Sequence, residues 1–71
     1  SNKDTKMIKT SITIKSNGAK GSFEVNDNLS LWEYEQEIVR NGKALGAQGK
    51  EDIQIDLVQV GLVGTSSDDL S

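Results

Sequence analysis

The sequence predicts a small α+β domain with the order β-β-α-β, in which an N-terminal β-hairpin, one helix and a last strand follow each other. Three observations predict this class: period-2 alternation around an Asn-Gly pair, a capping box before an amphipathic segment, and an aliphatic-rich C-terminal segment. With 71 residues the chain has room for one domain. We expect one helix on one face of a three-stranded sheet over residues 7–63. We expect residues 1–6 to be a disordered arm or a non-native addition, and residues 64–71 to be a disordered acidic tail.

The first two strands are predicted to form a hairpin. The segment Met7–Lys15 alternates in polarity, and its apolar face carries three isoleucines, Ile8, Ile12 and Ile14. The pair Asn17-Gly18 supplies the positive φ angles that a tight hairpin turn requires. In the second strand, Phe23 and Val25 are predicted to point inward, which places the same face of both strands against the core.

The start of the helix is the best-defined local feature. Ser30 and Glu33 have the spacing of a capping box, in which each side chain accepts a hydrogen bond from the other residue's backbone N–H. Asn41-Gly42 is a typical C-terminal stop, because glycine adopts the left-handed conformation at no steric cost. These signals predict a helix over residues 31–41, followed by a glycine-rich loop. The alternative is a continuation towards Leu45, which has to pass Gly42.

The apolar arc of this helix is wide enough for two contacts. We expect one part of the arc to face the sheet, through Leu31, Tyr34 and Ile38. The other part consists of Trp32 and Val39, with Glu35 between them, and could face a partner. For Glu35 we expect either a side chain directed to solvent or an ion pair with a lysine of the first strand.

The last predicted strand, residues 52–63, has apolar residues of both parities. One parity is an ordinary core face made of Ile53, Ile55 and Leu57. The other parity, which points the opposite way, carries Val58, Val60 and Leu62. A single helix covers one face of a sheet, so these three need another explanation. Either a β-bulge near residues 57–58 turns them inward, or another protein chain covers them.

The second explanation leads to the main functional hypothesis. We interpret the chain as a non-catalytic protein-interaction module that self-associates as a homodimer through the apolar second face of the last strand. The predicted interface residues are Val58, Val60, Leu62, Trp32 and Val39.

The charge distribution supports two alternatives. Residues 1–20 hold five lysines and one acidic residue, a charge of +4, whereas residues 21–71 hold three basic and ten acidic residues, a charge of −7. The first alternative is a nucleic-acid-binding protein that contacts phosphates through Lys9, Lys15 and Lys20. The second is an acidic DNA mimic that inhibits a DNA-binding protein through Glu33, Glu37, Glu51, Asp52 and Asp56.

The composition excludes several kinds of chemistry. The chain has no cysteine and no histidine, which excludes disulfides, thiolate catalysis, Cys-ligated zinc and histidine-based acid–base catalysis. We therefore expect no enzyme activity, no cofactor, no metal site and no small-molecule substrate. No run of about 20 apolar residues is present, so no membrane contact is expected, and a cytoplasmic location is the default.

Overall fold

The computed structural model describes residues 5–63, and the side chains of residues 6–61. It contains β1 (Thr5–Ile14), β2 (Lys20–Asn26), α1 (Leu31–Ala44), a 3₁₀ turn (Lys50–Asp52) and β3 (Ile53–Val63). The predicted α+β class and the β-β-α-β order are confirmed. The predicted tail at 64–71, most of the predicted arm and the side chain of Leu62 lie outside the described residues.

The three strands form one sheet in the order β2-β1-β3, and both pairings are antiparallel. The sequence left open whether the last strand is parallel or antiparallel to its neighbour. β1 is the central strand, so β2 and β3 are the two edges of the sheet that the described residues form.

The hairpin loop is wider than predicted. The Ile14 N–H donates to the Ala19 carbonyl over 2.7 Å, which leaves a loop of four residues between this hydrogen-bonded pair. Gly18 has a φ of 77°, but Asn17 does not share this conformation, since no non-glycine residue in the described part of the chain has a positive φ. Instead the Asn17 side chain accepts a 2.7 Å hydrogen bond from the Ala19 N–H. The expectation of a tight turn with two positive φ angles is therefore wrong, because the asparagine supports the loop through its side chain.

The capping box is present, and the helix does not stop at Asn41 but follows the alternative, the continuation past Gly42 towards Leu45. Glu33 N–H donates to Ser30 Oγ over 3.1 Å, and Ser30 N–H donates to Glu33 Oε1 over 2.9 Å. The helix continues through Gly42, which is buried inside it, and ends three residues after the predicted stop. A Cβ at Gly42 would overlap the Ile53 side chain. This glycine thus permits close approach of α1 to β3, and the left-handed glycine after the helix is Gly46, with a φ of 104°.

The core is small and lies at one end of the sheet. Its buried aliphatic residues are Ile12, Ile14, Ile38 and Ile53. Phe23, Tyr34 and Leu45 pack against them. Thr10 is also fully buried, and its hydroxyl is hydrogen-bonded to the Tyr34 hydroxyl. The helix therefore covers the part of the sheet that contains the hairpin-loop end of β1.

A β-bulge resets the side-chain alternation of β3. Ser11 lies opposite Leu57, and the next residue of β1, Ile12, lies opposite Ile55, so Asp56 is the extra residue. Beyond the bulge, Val58 and Val60 lie opposite Thr10 and Ile8.

The bulge corrects the predicted parity of β3. Paired residues in an antiparallel sheet point to the same face, so Val58 and Val60 share the helix-bearing face with the core isoleucines. Leu57, which the sequence placed in the core, lies opposite Ser11 on the other face, which we call the open face. Of the two explanations for the extra aliphatic residues, the structure contains the bulge, although it does not bury these residues.

Candidate functional site

The helix-bearing face of β3 carries a group of three exposed apolar residues, which we call the β3 surface. It consists of Ile55, Val58 and Val60, whose side chains are 48 %, 47 % and 60 % exposed. All three lie on the helix-bearing face, since they are opposite Ile12, Thr10 and Ile8. Ile55 was expected in the core, and it remains half-exposed because β3 is an edge strand.

The helix is too short to cover the whole face. The ten residues of β1 span about 33 Å, whereas the fourteen residues of α1 span about 21 Å. Even if α1 ran parallel to β1, about 12 Å of that strand would extend beyond it. The α1–β3 contact at Gly42 and Ile53 lies at the start of β3, so the residues after the bulge are covered only in part.

Hydrogen bonds at the end of β1 show which residues of this strand bond to β2 and which bond to β3. Ile14 N–H donates to Ala19, on the β2 side, over 2.7 Å. The next residue, Lys15, donates to the carbonyl of Asp52, on the β3 side, over 2.9 Å. Because these directions alternate along a strand, the even-numbered residues of β1 bond to β2 and the odd-numbered residues bond to β3.

This alternation fixes the free backbone groups of β3. Val58 and Val60 lie opposite the even-numbered Thr10 and Ile8, whose backbone groups form their hydrogen bonds with β2. The N–H and C=O groups of Val58 and Val60 are consequently directed to the free edge. The same two residues therefore have an exposed apolar side chain and backbone groups that a further strand could pair.

The two edges of the sheet differ in charge. β2 carries Lys20 and Glu24 within its seven residues. In β3, the run from Leu57 to Val63 has no charged residue and no proline. Charged side chains and proline are common protections of an edge strand against pairing with another chain. The edge formed by β3 lacks these protections after the bulge.

One side of α1 faces β3. Tyr34 and Ile38 point to the core, and Gly42 lies against Ile53. Glu35 forms an ion pair with Lys50, which is in the 3₁₀ turn just before β3. The expected lysine partner from the first strand is therefore wrong, because the chain places Lys50 next to this side of the helix.

The exposed apolar residues of α1 lie on this β3-facing side. At about 100° per residue, Leu31 and Val39 flank Glu35, and Trp32 lies beside Val39. Leu31 and Trp32 are 81 % and 66 % exposed, and Val39 is half-buried. The expectation that Leu31 packs on the sheet is wrong, since the helix begins at Leu31 beyond the covered core. We call Leu31, Trp32 and Val39 the helix flank.

The lysines proposed for nucleic-acid contact have acidic neighbours. Lys9 lies opposite Glu24 on the open face. The pKa of Asp52 is lowered mainly by the Ser16 hydroxyl and in smaller part by Lys15. The pKa of Asp56 is lowered mainly by the Thr13 hydroxyl and in smaller part by Lys20. All three lysines are exposed, but the local charge around them is balanced rather than strongly positive.

The acidic residues proposed for DNA mimicry do not share one surface. Asp56 lies on the open face, where the Thr13 hydroxyl and the Gln54 amide donate to it and lower its pKa, with Thr13 the larger cause. Glu33 and Glu37 are on the helix, where Glu33 caps the first turn and Glu37 pairs with Arg40. The helix and the open face lie on opposite sides of the sheet.

Asp52 joins three segments of the chain. Its carboxylate accepts hydrogen bonds from the Ser16 hydroxyl at 2.6 Å, the Ser16 N–H at 2.9 Å and the Gln48 N–H at 3.1 Å. These bonds, with the Ser16 hydroxyl the largest cause, hold the pKa of Asp52 below its usual value. The contacts explain Asp52 as a structural residue that fixes the hairpin loop to the start of β3.

Among residues 5–63 no cluster of three or more metal-ligating acidic side chains is present. Within the same range no helix has the length and apolarity needed to cross a membrane. No protein-family model matches the chain, and comparisons with curated proteins and with solved structures find no match either. The geometry of the β3 surface is thus the main basis for a functional inference.

Proposed function

We propose that this protein is a non-catalytic interaction module that self-associates through the β3 surface, with the helix flank contributing to the contact. The observation that carries the proposal is the coincidence of two features at Val58 and Val60. Their side chains are apolar and about half-exposed, and their backbone groups point to an edge without charge protection. Exposed apolar groups and an unprotected edge both favour contact with another chain.

The energetics of a small fold support the same proposal. Four buried aliphatic residues form the core of the described chain. Fully burying a valine side chain contributes about 1.5–3 kcal/mol relative to leaving it exposed. Val58 and Val60 are about half-exposed, so a second chain that covers both would add stabilisation comparable to the burial of one core residue. Association and folding would then be coupled.

The helix flank adds an aromatic anchor. Trp32 is the only tryptophan, and most of its surface is exposed on the side of α1 that faces β3. Tryptophan is enriched among the interface residues that contribute most to binding, because it buries a large area and loses little conformational entropy. We therefore include Trp32 in the interface, together with Leu31 and Val39.

The proposal is tested by the mass of the protein in solution. Sedimentation equilibrium over a range of concentrations, at low salt and at 1 M salt, should give a mass that approaches twice the chain mass of 7.7 kDa. Apolar association should persist at high salt, since screening weakens only the charged contacts.

Val60→Asp supplies the matched variant, and Ser22→Asp supplies its control. Both positions are exposed strand residues, but Ser22 lies on the open face of β2, far from the β3 edge. Val60→Asp should shift the equilibrium to monomer by at least tenfold in dissociation constant, while Ser22→Asp leaves it unchanged. A parent protein that is monomeric at millimolar concentration, or a Val60→Asp variant that associates as the parent does, would overturn the proposal.

A further inference from the structure

We infer that two copies of this chain pair their β3 strands edge to edge and antiparallel, about a two-fold axis at Val60, to form a continuous six-stranded sheet. The inference rests on the proposed self-association and specifies its geometry. It follows from the position of the bulge, the direction of the free backbone groups and the absence of charge along the edge.

The bulge defines the length of strand that can pair. Asp56 is the extra residue in the β1–β3 ladder, and such a residue disrupts regular pairing. After it, seven residues from Leu57 to Val63 continue without interruption to the end of β3. The central residue of this run is Val60. A two-fold axis at Val60 lets all seven residues pair, whereas any other axis shortens the ladder or brings Asp56 into it.

The direction of the backbone groups agrees with this axis. Val60 directs its N–H and C=O to the free edge, so Val60 and the partner's Val60 can exchange two hydrogen bonds. The backbone groups of Gln59 and Gly61 are directed to β1, where Gln59 lies opposite Lys9 and Gly61 lies opposite Met7. Gln59 would then lie opposite the partner's Gly61 as a non-hydrogen-bonded pair, which is the alternation that an antiparallel ladder requires.

Charge and shape also permit a second copy at this edge. The run contains no ionisable side chain, so two identical strands can approach without like-charge repulsion. A two-fold axis perpendicular to the sheet places both helices on the same face of the joined sheet. The two helix flanks then border a central apolar strip that contains Val58 and Val60 of both copies, which explains why both elements are exposed in a single chain.

Single-cysteine variants test the register, because the chain has no cysteine of its own. With the axis at Val60, residue 59 of one copy lies opposite residue 61 of the other. Cα atoms of such a non-hydrogen-bonded pair are about 4.5 Å apart, within disulfide range. Identical positions, 59 to 59 or 61 to 61, are diagonal neighbours about 7–8 Å apart, which is too far. A side chain at Gly61 meets nothing within 4 Å, so Gly61→Cys is compatible with the fold.

The experiment mixes the Gln59→Cys and Gly61→Cys proteins under mild oxidation and compares the mixture with each variant alone. We expect an intermolecular disulfide in the mixture, at least tenfold faster than in either separate variant. Ser22→Cys mixed with either variant gives the background rate of random oxidation, since this position lies on the other edge of the sheet.

Three outcomes would overturn the inference. Rapid cross-linking of Gln59→Cys with itself would place the axis at residue 59. An associated protein in which the mixture cross-links no faster than the Ser22→Cys background would exclude edge pairing, and the proposed self-association would survive. A parent protein of monomeric mass would remove the proposed function together with this geometry.

Discussion

At the residue scale, Gly42 shows how one position couples the helix to the sheet. The sequence favoured it as a helix stop, because glycine after an asparagine is a common C-terminal signal. In the fold it lies inside α1, where its missing side chain makes room for Ile53. Local chemistry could not distinguish these two uses, since the second depends on a residue eleven positions later in the chain.

The close approach at Gly42 predicts the effect of a single methyl group. Gly42→Ala should destabilise the protein by about 1–2 kcal/mol. A Cβ here would overlap two carbons of Ile53, so the overpacking cost lies at the upper end of the usual range, about 2–3 kcal/mol, and the better helix propensity of alanine offsets about 1 kcal/mol. Gly61→Ala is the control, because a Cβ there meets nothing within 4 Å and the φ angle is not positive. Urea unfolding at fixed protein concentration measures the free energy of unfolding of both variants and of the parent. Equal stability of Gly42→Ala and the parent would contradict the packing described for α1 and β3.

At the element scale, the hairpin and the start of the helix were predictable because their signals are local. The alternation of β1 and the Ser30–Glu33 capping box each lie within a few residues of sequence. The parity of β3 was not predictable in the same way. An alternating pattern is informative only while the alternation is uninterrupted, and the bulge at Asp56 reverses it.

The exposure of Ile55 and Leu31 also could not be predicted from the sequence pattern. Both have the spacing of core residues, and both remain exposed because β3 is an edge strand and α1 covers only part of the sheet. Of the predicted interface residues, Val58 and Val60 lie on the helix-bearing face of β3, and Trp32 and Val39 lie on the helix flank of α1. The sequence singled out the two valines as residues that one helix does not account for, but it assigned them to the wrong face.

The contact between the hairpin loop and the start of β3 predicts a pH dependence. Hydrogen bonds from Ser16 and Gln48 lower the pKa of Asp52 in the folded state below its ordinary value of 3.8. A lowered folded pKa means that the stabilisation is fully present above the unfolded pKa and is lost as the pH falls through the folded pKa. The stability of the parent should therefore decrease below about pH 4.

Asp52→Asn separates this contribution from the others. The variant should be less stable than the parent at pH 7 and should lose less stability between pH 5 and pH 2, although Asp56 retains its own contribution. Glu24→Gln, on the outer strand of the hairpin, is a charge-matched control. Urea unfolding midpoints across this pH range are the measurement. A pH profile of Asp52→Asn that is identical to that of the parent would show that the loop contact does not depend on the carboxylate.

At the scale of the whole molecule, the fold leaves one sheet face half covered. The described core contains four buried aliphatic residues, and three β3 residues of similar size are about half-exposed beside it. The hydrophobic core of a domain of this size contributes only a few kcal/mol to its stability, about 3–5 kcal/mol. Pairing at β3 would extend the cover of this face and protect the run after Asp56, which lacks charges. The interface and the stability of the fold would then have the same physical origin.

Amide hydrogen exchange along β3, measured as a function of protein concentration, tests this account most directly. In a single chain the Val60 N–H faces the free edge, whereas the Gln59 N–H is directed to Lys9 of β1. We predict that the Gln59 amide is protected at every concentration at which the protein is folded, and that the Val60 amide becomes protected as the concentration rises. Rapid exchange at Val60 at all concentrations, alongside a protected Gln59, would contradict the claim that a second copy pairs with this edge.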